Sequence, residues 1–356
     1  MPSEPEPRNL SIAEAIREGT AEAMRENESV ILYGLGVNDP GRVFGTTAGL
    51  VEEFGKERVF EVPTSENALT GIAVGAALGG LRPIVTHQRA DFFYLAMDQL
   101  VNSAAKWRYM YGGQFTVPLV FRLIVGKGWG QGPTHSQTMH SWLVNVPGLK
   151  VVCPSNSSDA KRLMKASIED DNPVVFIEDR SIHGEVSKVL ADDRRTVLGK
   201  ARVARDGVDV SIFAVGALVP EALKAAHALD AAGVSSEVID LRTVKPIDLD
   251  ALLVSVDKTR GFLVLDNAHS SGSFGENLVG RINSARPSRS GGFFRLLAWP
   301  DFPQPTSAGA MSTYYPDKQK IFSEVIEAFG LEGSKESEAG RIALGEAAQK
   351  DYAGPF

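Results

Sequence analysis

Glu66 stands in the stretch PTSENALTGIAVGAALGG at 63–80, a single carboxylate at the head of a run with almost no large side chains. An acid in the first turn of a helix meets the positive end of the helix dipole, and that alone explains most such residues. The residues behind Glu66 are small enough to bury their helix deeply against a neighbour, however, and a buried carboxylate needs a partner. Glycines at 71, 75 and 79 are spaced by four, which suits close packing of a helix rather than a nucleotide-binding turn. A second glycine-rich stretch, GKGWGQGP at 126–133, follows VPLVFRL but lacks both the GxGxxG spacing and the Lys-Ser/Thr ending of a Walker loop. It is either a loop that lets backbone approach a ligand or a flexible turn. His135 comes just after it, in THSQTMH, beyond the carboxyl end of a strand, where parallel sheets place their chemistry. His140 is five residues further on, and with no HExxH, CxxC or third ligand a catalytic zinc is not expected. His140 and Trp142 read as packing or capping residues of the next helix.

The elements that must position these residues alternate. Ser11 and Glu14 form a capping-box signature for a helix through about Glu26, and SVILYG follows as a strand. RPIVTH is a strand, Phe93 to Met110 a long amphipathic segment, and VPLVFRL, LKVVCP and PVVFIE are strands, with a helix from about Asp159 to Ile168 between the last two. Short apolar strands separated by helices predict a parallel sheet covered on both faces, an α/β domain. Between about 181 and 200 the pattern breaks into polar residues, with DDRR at 192–195, and reads as a linker. DVSIFAVG, a helix over 219–232, SSEVID, GFLVLD, FFRLLAWP and a helix near 318–329 predict a second, smaller α/β domain. The expected fold is therefore α/β, two domains, each a mostly parallel sheet flanked by helices. Domain limits are set at 1–190 and 191–332, leaving 333–356 as a polar tail without large apolar anchors, which reads as flexible, the alternative being a helix that docks on a partner.

Composition excludes several classes. The 356 residues are 43% hydrophobic and 23% charged, and 37 Lys plus Arg against 44 Asp plus Glu leave a net charge of −7. Neither a nucleic-acid footprint nor a polybasic membrane patch is expected from that balance. Cys153 is the only cysteine, in the apolar run LKVVCP, so no disulfide framework forms within the chain. The N-terminal MPSEPEPRN has no apolar core and does not read as a signal peptide, and no apolar run reaches the roughly 18 residues of a membrane span. A cytoplasmic protein is expected.

Several segments in order, PTSENALTGIAVGAALGGLRPIV, MDQLVNSAAKWRYMYGGQ, VPLVFRL, GPTHSQ, PGLKVVCPSNSSDAKRLMKASIEDDNPVVFIE and VIDLRTVKPID, together resemble the β subunit of thiamine-diphosphate-dependent 2-oxo acid dehydrogenases, in their decarboxylase component. The likeness runs over roughly residues 9–330. It implies a pyrimidine-binding domain followed by a transketolase-type C-terminal domain. It also implies that Glu66 hydrogen-bonds the aminopyrimidine ring of the cofactor, that Phe92 packs on that ring with Gln88 beside it, and that His135 faces the reacting carbon. Ile168, Asp170 and Asn172, in and before IEDDNP, match a loop that holds a structural potassium ion; the alternative reading of that loop is a turn before a strand. The family holds diphosphate and magnesium through a GDG motif, and this chain contains none. The resemblance therefore implies an α subunit that supplies magnesium and the diphosphate-binding half, in an α2β2 heterotetramer. Trp107, Tyr109 and Tyr111 are candidates for its interfaces, or for the core.

The chain departs from pyruvate-type relatives at THQRADFF, which puts His87, Gln88, Arg89 and Asp91 near the cofactor pocket. Either Arg89 pairs with Asp91 or with a partner's carboxylate, or Arg89 or His87 contacts a polar or anionic substrate. Three functions follow. The first is a decarboxylase subunit passing an acyl group to a lipoyl-bearing acyltransferase, and the second a split transketolase or acyloin-forming carboligase acting on a polar or sugar-like substrate. The third is a scaffold without turnover, which joint retention of Glu66, Phe92 and His135 argues against.

Overall fold

The computed structural model describes residues 7–126, 130–189, 196–287 and 292–348. The chain divides into two compact units, one of residues 1–127, 134–199 and 243–246, the other of 128–133, 200–242 and 247–356.

In the first unit the strands are β1 Arg8–Ser11, β2 Val30–Gly34, β3 Val59–Glu61, β4 Arg82–His87, β5 Val120–Val125, β6 Lys150–Val152, β7 Val174–Asp179 and β8 Val186–Val189. Its helices are α1 Ile12–Glu26, α2 Leu50–Phe54, α3 Glu66–Leu78, α4 Trp107–Met110, α5 His140–Val144 and α6 Ser157–Glu169. A seven-stranded sheet has the order β12-β6-β7-β5-β4-β2-β3, with β12 (Thr243–Lys245) returning from the second half of the sequence as its one antiparallel strand. β4, β5 and β7 are buried along almost their whole length, which is why they read as continuous apolar runs rather than alternating ones. α1 begins at the expected capping box, Ser11 with Glu14, and packs on α6.

Two elements of this unit differ from the sequence expectation. The segment after β4 is not one helix: a 3₁₀ stretch, Ala90–Ala96, gives way to π-helical turns at Gln99–Ala104 and then to α4. Of the expected linker, 186–189 is β8, paired antiparallel with β1, so the first unit runs on to Gly199 rather than ending at 190. The DDRR run lies outside the described residues, as do 127–129 of the second glycine-rich loop.

The second unit has β9 Arg202–Arg205, β10 Val210–Ala214, β11 Ser236–Asp240, β13 Gly261–His269 and β14 Phe293–Trp299 in the order β14-β13-β10-β11-β9, parallel except for β9. Its helices are α7 Leu218–Ala231, α8 Leu249–Lys258, α9 Phe274–Ala285, α10 Ala308–Tyr314, α11 Lys318–Ala328 and α12 Lys335–Ala348. The expected tail is therefore a helix through Ala348. α12 packs on α7, with Leu344 4% exposed in the core. The approach is close because Gly340 lies where a Cβ would stand 2.5 Å from the Phe322 ring and 2.9 Å from the Ala228 carbonyl. Small residues anchor this helix by proximity, which a search for large apolar anchors misses. Among the described residues no helix is long and apolar enough to cross a membrane.

Candidate active site

Parallel strands send all their carboxyl ends to one edge of the sheet. Along that edge of the first unit, the segment after β2 carries Phe44, that after β3 Glu66, that after β4 Arg89 and Phe92, that after β5 His135, and that after β7 Arg180. Residues scattered over more than a hundred positions of sequence thus share one rim, as expected for ligand binding by open α/β sheets.

Glu66 opens α3 and is 7% exposed, and its carboxylate makes no hydrogen bond among the described residues. An acceptor so placed is open to water, a ligand or a partner chain. α3 itself is less enclosed than the sequence suggests. Leu69, Thr70, Ala73, Val74 and Ala77 are buried, but Ile72 is 63% exposed and the space beside Gly75 is open. Of the three spaced glycines it is Gly71 that meets another element, at the Gln99 side chain. The helix has a second small-residue face with nothing against it among the described residues.

Phe92 sits on the 3₁₀ turn that packs against α3, with its ring 40% exposed and edge-on to the His135 imidazole at 5.4 Å between centroids. Asp91 fixes that pairing: its Oδ1 accepts from the backbone N and from Nε2 of Gln137, both at 3.0 Å, tying the turn to the loop of His135. His135 Nδ1 lies 3.0 Å from the Thr134 hydroxyl, and its Nε2 has no hydrogen bond among the described residues. An exposed aromatic face, an unsatisfied carboxylate and an available imidazole nitrogen together fit a flat heterocycle that exchanges protons.

The residues of the variant THQRADFF stretch separate. His87 is 1% exposed, its Nε2 3.2 Å from the Thr70 hydroxyl and its ring edge-on to Phe93 at 4.5 Å. Burial holds its pKa down at about 3, so the ring is a neutral core residue and the expected substrate contact is not made there. Gln88 donates to Asp39 Oδ2 at 3.2 Å and packs where a Cβ on Gly36, at φ +78, would come within 2.8 Å of its amide. Arg89 forms no ion pair with Asp91 among the described residues.

The potassium expectation does not fit. Arg82 Nη1 donates to the carbonyls of Ile168 and Asp170 at 3.0 and 3.2 Å, and Arg82 Nη2 pairs with Asp171 at 2.5 Å. Lys150 holds one oxygen of Asp170, and the backbone and side chain of Asn172 hold the other. A second cation there would be repelled by two side-chain charges that already serve those oxygens. Among the described residues no group of three or more His, Cys, Asp or Glu could hold a metal ion.

Sequence reasoning missed the frame beneath the rim. Arg122 of β5 and Glu178 of β7, both fully buried, pair bidentately at 2.5 and 2.8 Å, and Arg122 Nη2 also donates to the Thr46 hydroxyl at 2.7 Å. Burial would raise Glu178, but the Arg122 guanidinium, helped by His183 at 3.4 Å, holds it down at about 2. The signal was there to read: one Arg in VPLVFRL and one Glu in PVVFIE, each inside a strand too apolar to hide an unpaired charge. The exposed aromatics lie away from this frame. Tyr109 is 90%, Tyr111 44% and Phe115 43% exposed, so they are not core. His140 is buried at the start of α5, Trp142 is 63% exposed against Tyr94, and Cys153 is buried.

Residues 8–184 match the transketolase pyrimidine-binding domain and 199–321 the transketolase C-terminal domain. The chain is 37% identical over 326 residues to the pyruvate dehydrogenase E1 component subunit beta of Rhizobium meliloti, covering 91% of this chain and 71% of that one. It is 37% identical to the acetoin:2,6-dichlorophenolindophenol oxidoreductase subunit beta of Bacillus subtilis, over 91% and 98%, and 38% identical to the 2-oxoisovalerate dehydrogenase subunit beta of the same organism, over 87% and 96%. A solved structure titled split gene transketolase, inactive beta4 tetramer, superposes with a TM-score of 0.75 at 22% identity, over 90% of this chain and 99% of that one, a likeness of fold.

Proposed function

The chain belongs to the transketolase family and, within it, to the β subunits of the 2-oxo acid dehydrogenase E1 component, and from that premise we propose that it is the β half of a thiamine-diphosphate-dependent enzyme that decarboxylates a 2-oxo acid. The observation that carries the reading is the rim itself: a buried, unbonded Glu66 carboxylate, an exposed Phe92 ring and the His135 imidazole within one unit. When bound, thiamine diphosphate supplies a thiazolium carbon nucleophile and an electron sink for the carboxylate lost as carbon dioxide. Glu66 would hold a proton in common with the pyrimidine ring, Phe92 would support its face with Gln88 beside it, and His135 Nε2 would give or take a proton at the reacting carbon.

The rest of the site is assigned to an α partner, because this chain has no GDG motif for diphosphate and magnesium. The open face of α3, with Ile72 and Gly75, supports an assembly larger than one chain, an α2β2 heterotetramer, and so do the exposed Tyr109 and Tyr111. A lipoyl-bearing acyltransferase is the proposed acceptor. The split transketolase reading has the same fold on its side, but the relatives at 37 and 38% identity favour the dehydrogenase.

Calorimetric titration of thiamine diphosphate with magnesium, into the chain alone and into the chain co-expressed with its α-type partner, tests this. Binding should appear only with the partner. Tight binding by the isolated chain would defeat the split site.

A further inference from the structure

Beside the Glu66 and His135 pair, the rim carries a second arrangement that the proposed cofactor chemistry leaves unused. Arg42, Val43 and Phe44 are left-handed, at φ 45, 47 and 57, and Gly45 continues the turn at 85. That region is strained for every non-glycine residue, because Cβ crowds the backbone there. The buried frame holds the turn in place: the Thr46 hydroxyl donates to the Val43 carbonyl at 2.8 Å and accepts from Arg122. The product of this strained turn is one aromatic ring against two guanidinium groups. Arg180 Cζ lies 3.9 Å and Arg89 Cζ 5.9 Å from the Phe44 ring centroid.

Arg89 forms no ion pair among the described residues, although the negative charge of Asp91 acts on it from a distance. Its Nη1 is buried without a hydrogen-bond partner, and Asp91 gives Oδ1 to Gln137 while its Oδ2 is buried and unbonded, so a single carboxylate faces the two guanidinium groups. Burial lowers the pKa of Arg89, and burial together with the charge of Arg89 lowers Arg180 to about 10. The two guanidinium groups repel one another around one ring, and an anion bound beside Arg89 would relieve that repulsion. Arg89 also adjoins the proposed pyrimidine-packing residue in the chain. Arg89 caps the turn that carries Phe92, and its carbonyl accepts from the Phe92 backbone N at 3.3 Å.

We propose that Arg89, with Arg180 beside it on Phe44, is a specificity-determining subsite for a second carboxylate on the substrate, so that the 2-oxo acid taken by this enzyme is a dicarboxylic one. The inference rests on the function proposed above and adds the substrate class. Guanidinium forks match a carboxylate bidentately, and a site built to bind a buried anion discriminates against a substrate that lacks it.

The test uses the assembled complex, with 2-oxoglutarate and 2-oxobutanoate as the dianionic and monoanionic probes. Wild type should favour 2-oxoglutarate in kcat/KM. Arg89→Leu should lower that preference roughly ten- to a hundredfold, mainly through KM, with Arg89→Lys in between. Glutarate, titrated calorimetrically as an unreactive dianion, should bind wild type and bind Arg89→Leu more weakly, while butyrate binds neither. A wild-type complex that prefers the monoanion, or an Arg89→Leu complex of unchanged melting temperature that keeps both preference and glutarate affinity, overturns the subsite and leaves the decarboxylase standing. If the complex binds thiamine diphosphate but decarboxylates neither probe, unchanged glutarate affinity in Arg89→Leu and Arg89→Lys overturns the subsite. Failure to bind thiamine diphosphate overturns the underlying function and the proposal with it.

Discussion

At the scale of single residues, burial decides which polar group serves chemistry and which serves the fold. Glu66 opens the helix after β3 and His87 ends β4, and both are buried, yet the carboxylate makes no hydrogen bond among the described residues, while the imidazole is fitted between Thr70 and Phe93 with only its Nδ1 left unbonded. Replacing Glu66 with Gln keeps the shape and removes the proton that Glu66 is proposed to share with the pyrimidine ring. In the assembled enzyme, turnover should fall by roughly 10²-fold or more, with thiamine diphosphate still bound, as steady-state rates beside a calorimetric titration will show. His87 gives the opposite signature. Its folded pKa of about 3 lies below the ordinary 6.5, so below pH 6.5 the unfolded chain takes a proton that the native chain refuses, and stability falls with pH. Between pH 6.5 and 5 this costs about 2 kcal/mol. Urea unfolding at the two pH values should show that loss in wild type, and His87→Leu should show a smaller one.

Elements turn composition into geometry through how closely their backbones approach. α12 packs on α7 at Gly340, and Gly340→Leu should push the helices apart and lower stability by about 1 to 3 kcal/mol in thermal or urea unfolding. Gly345→Ala, in open space on the same helix, should cost nothing and serves as the control. α3 shows small residues used the other way, with one face packed and one left open around Ile72 and Gly75. Ile72→Glu should leave the melting temperature of the isolated chain nearly unchanged, because that side chain is 63% exposed, yet block assembly with the α partner in light scattering. Normal assembly of the variant would show that this face is free in the complex.

For the molecule as a whole, the parallel sheet is the organising fact. Its strand order places the segments after β3, β4 and β5 on one edge, so Glu66, Phe92 and His135 need no proximity in sequence. The Arg122 and Glu178 pair ties β5 to β7 beneath that edge, and through Thr46 it reaches the loop after β2, so the rim rests on a frame fully removed from water. A charge pair of that kind is costly to break from one side: losing Glu178 would strand a buried guanidinium.

Alternating apolar runs and helical stretches determined the α/β class and the two domains, and six ordered segments marked the family, from which Glu66, Phe92 and His135 follow as the candidate residues. These are local properties, fixed by side-chain type along the chain. Tertiary structure alone decided the rest. It broke the helix after β4, folded the supposed tail into α12, brought β12 back into the first sheet, and gave the supposed potassium oxygens to Arg82 and Lys150. It also sank His87 into the core and set Arg89 and Arg180 against Phe44. Each of those outcomes depends on which distant backbone lies a few ångströms away, a relation set by strand order and close packing and written in no single stretch of sequence.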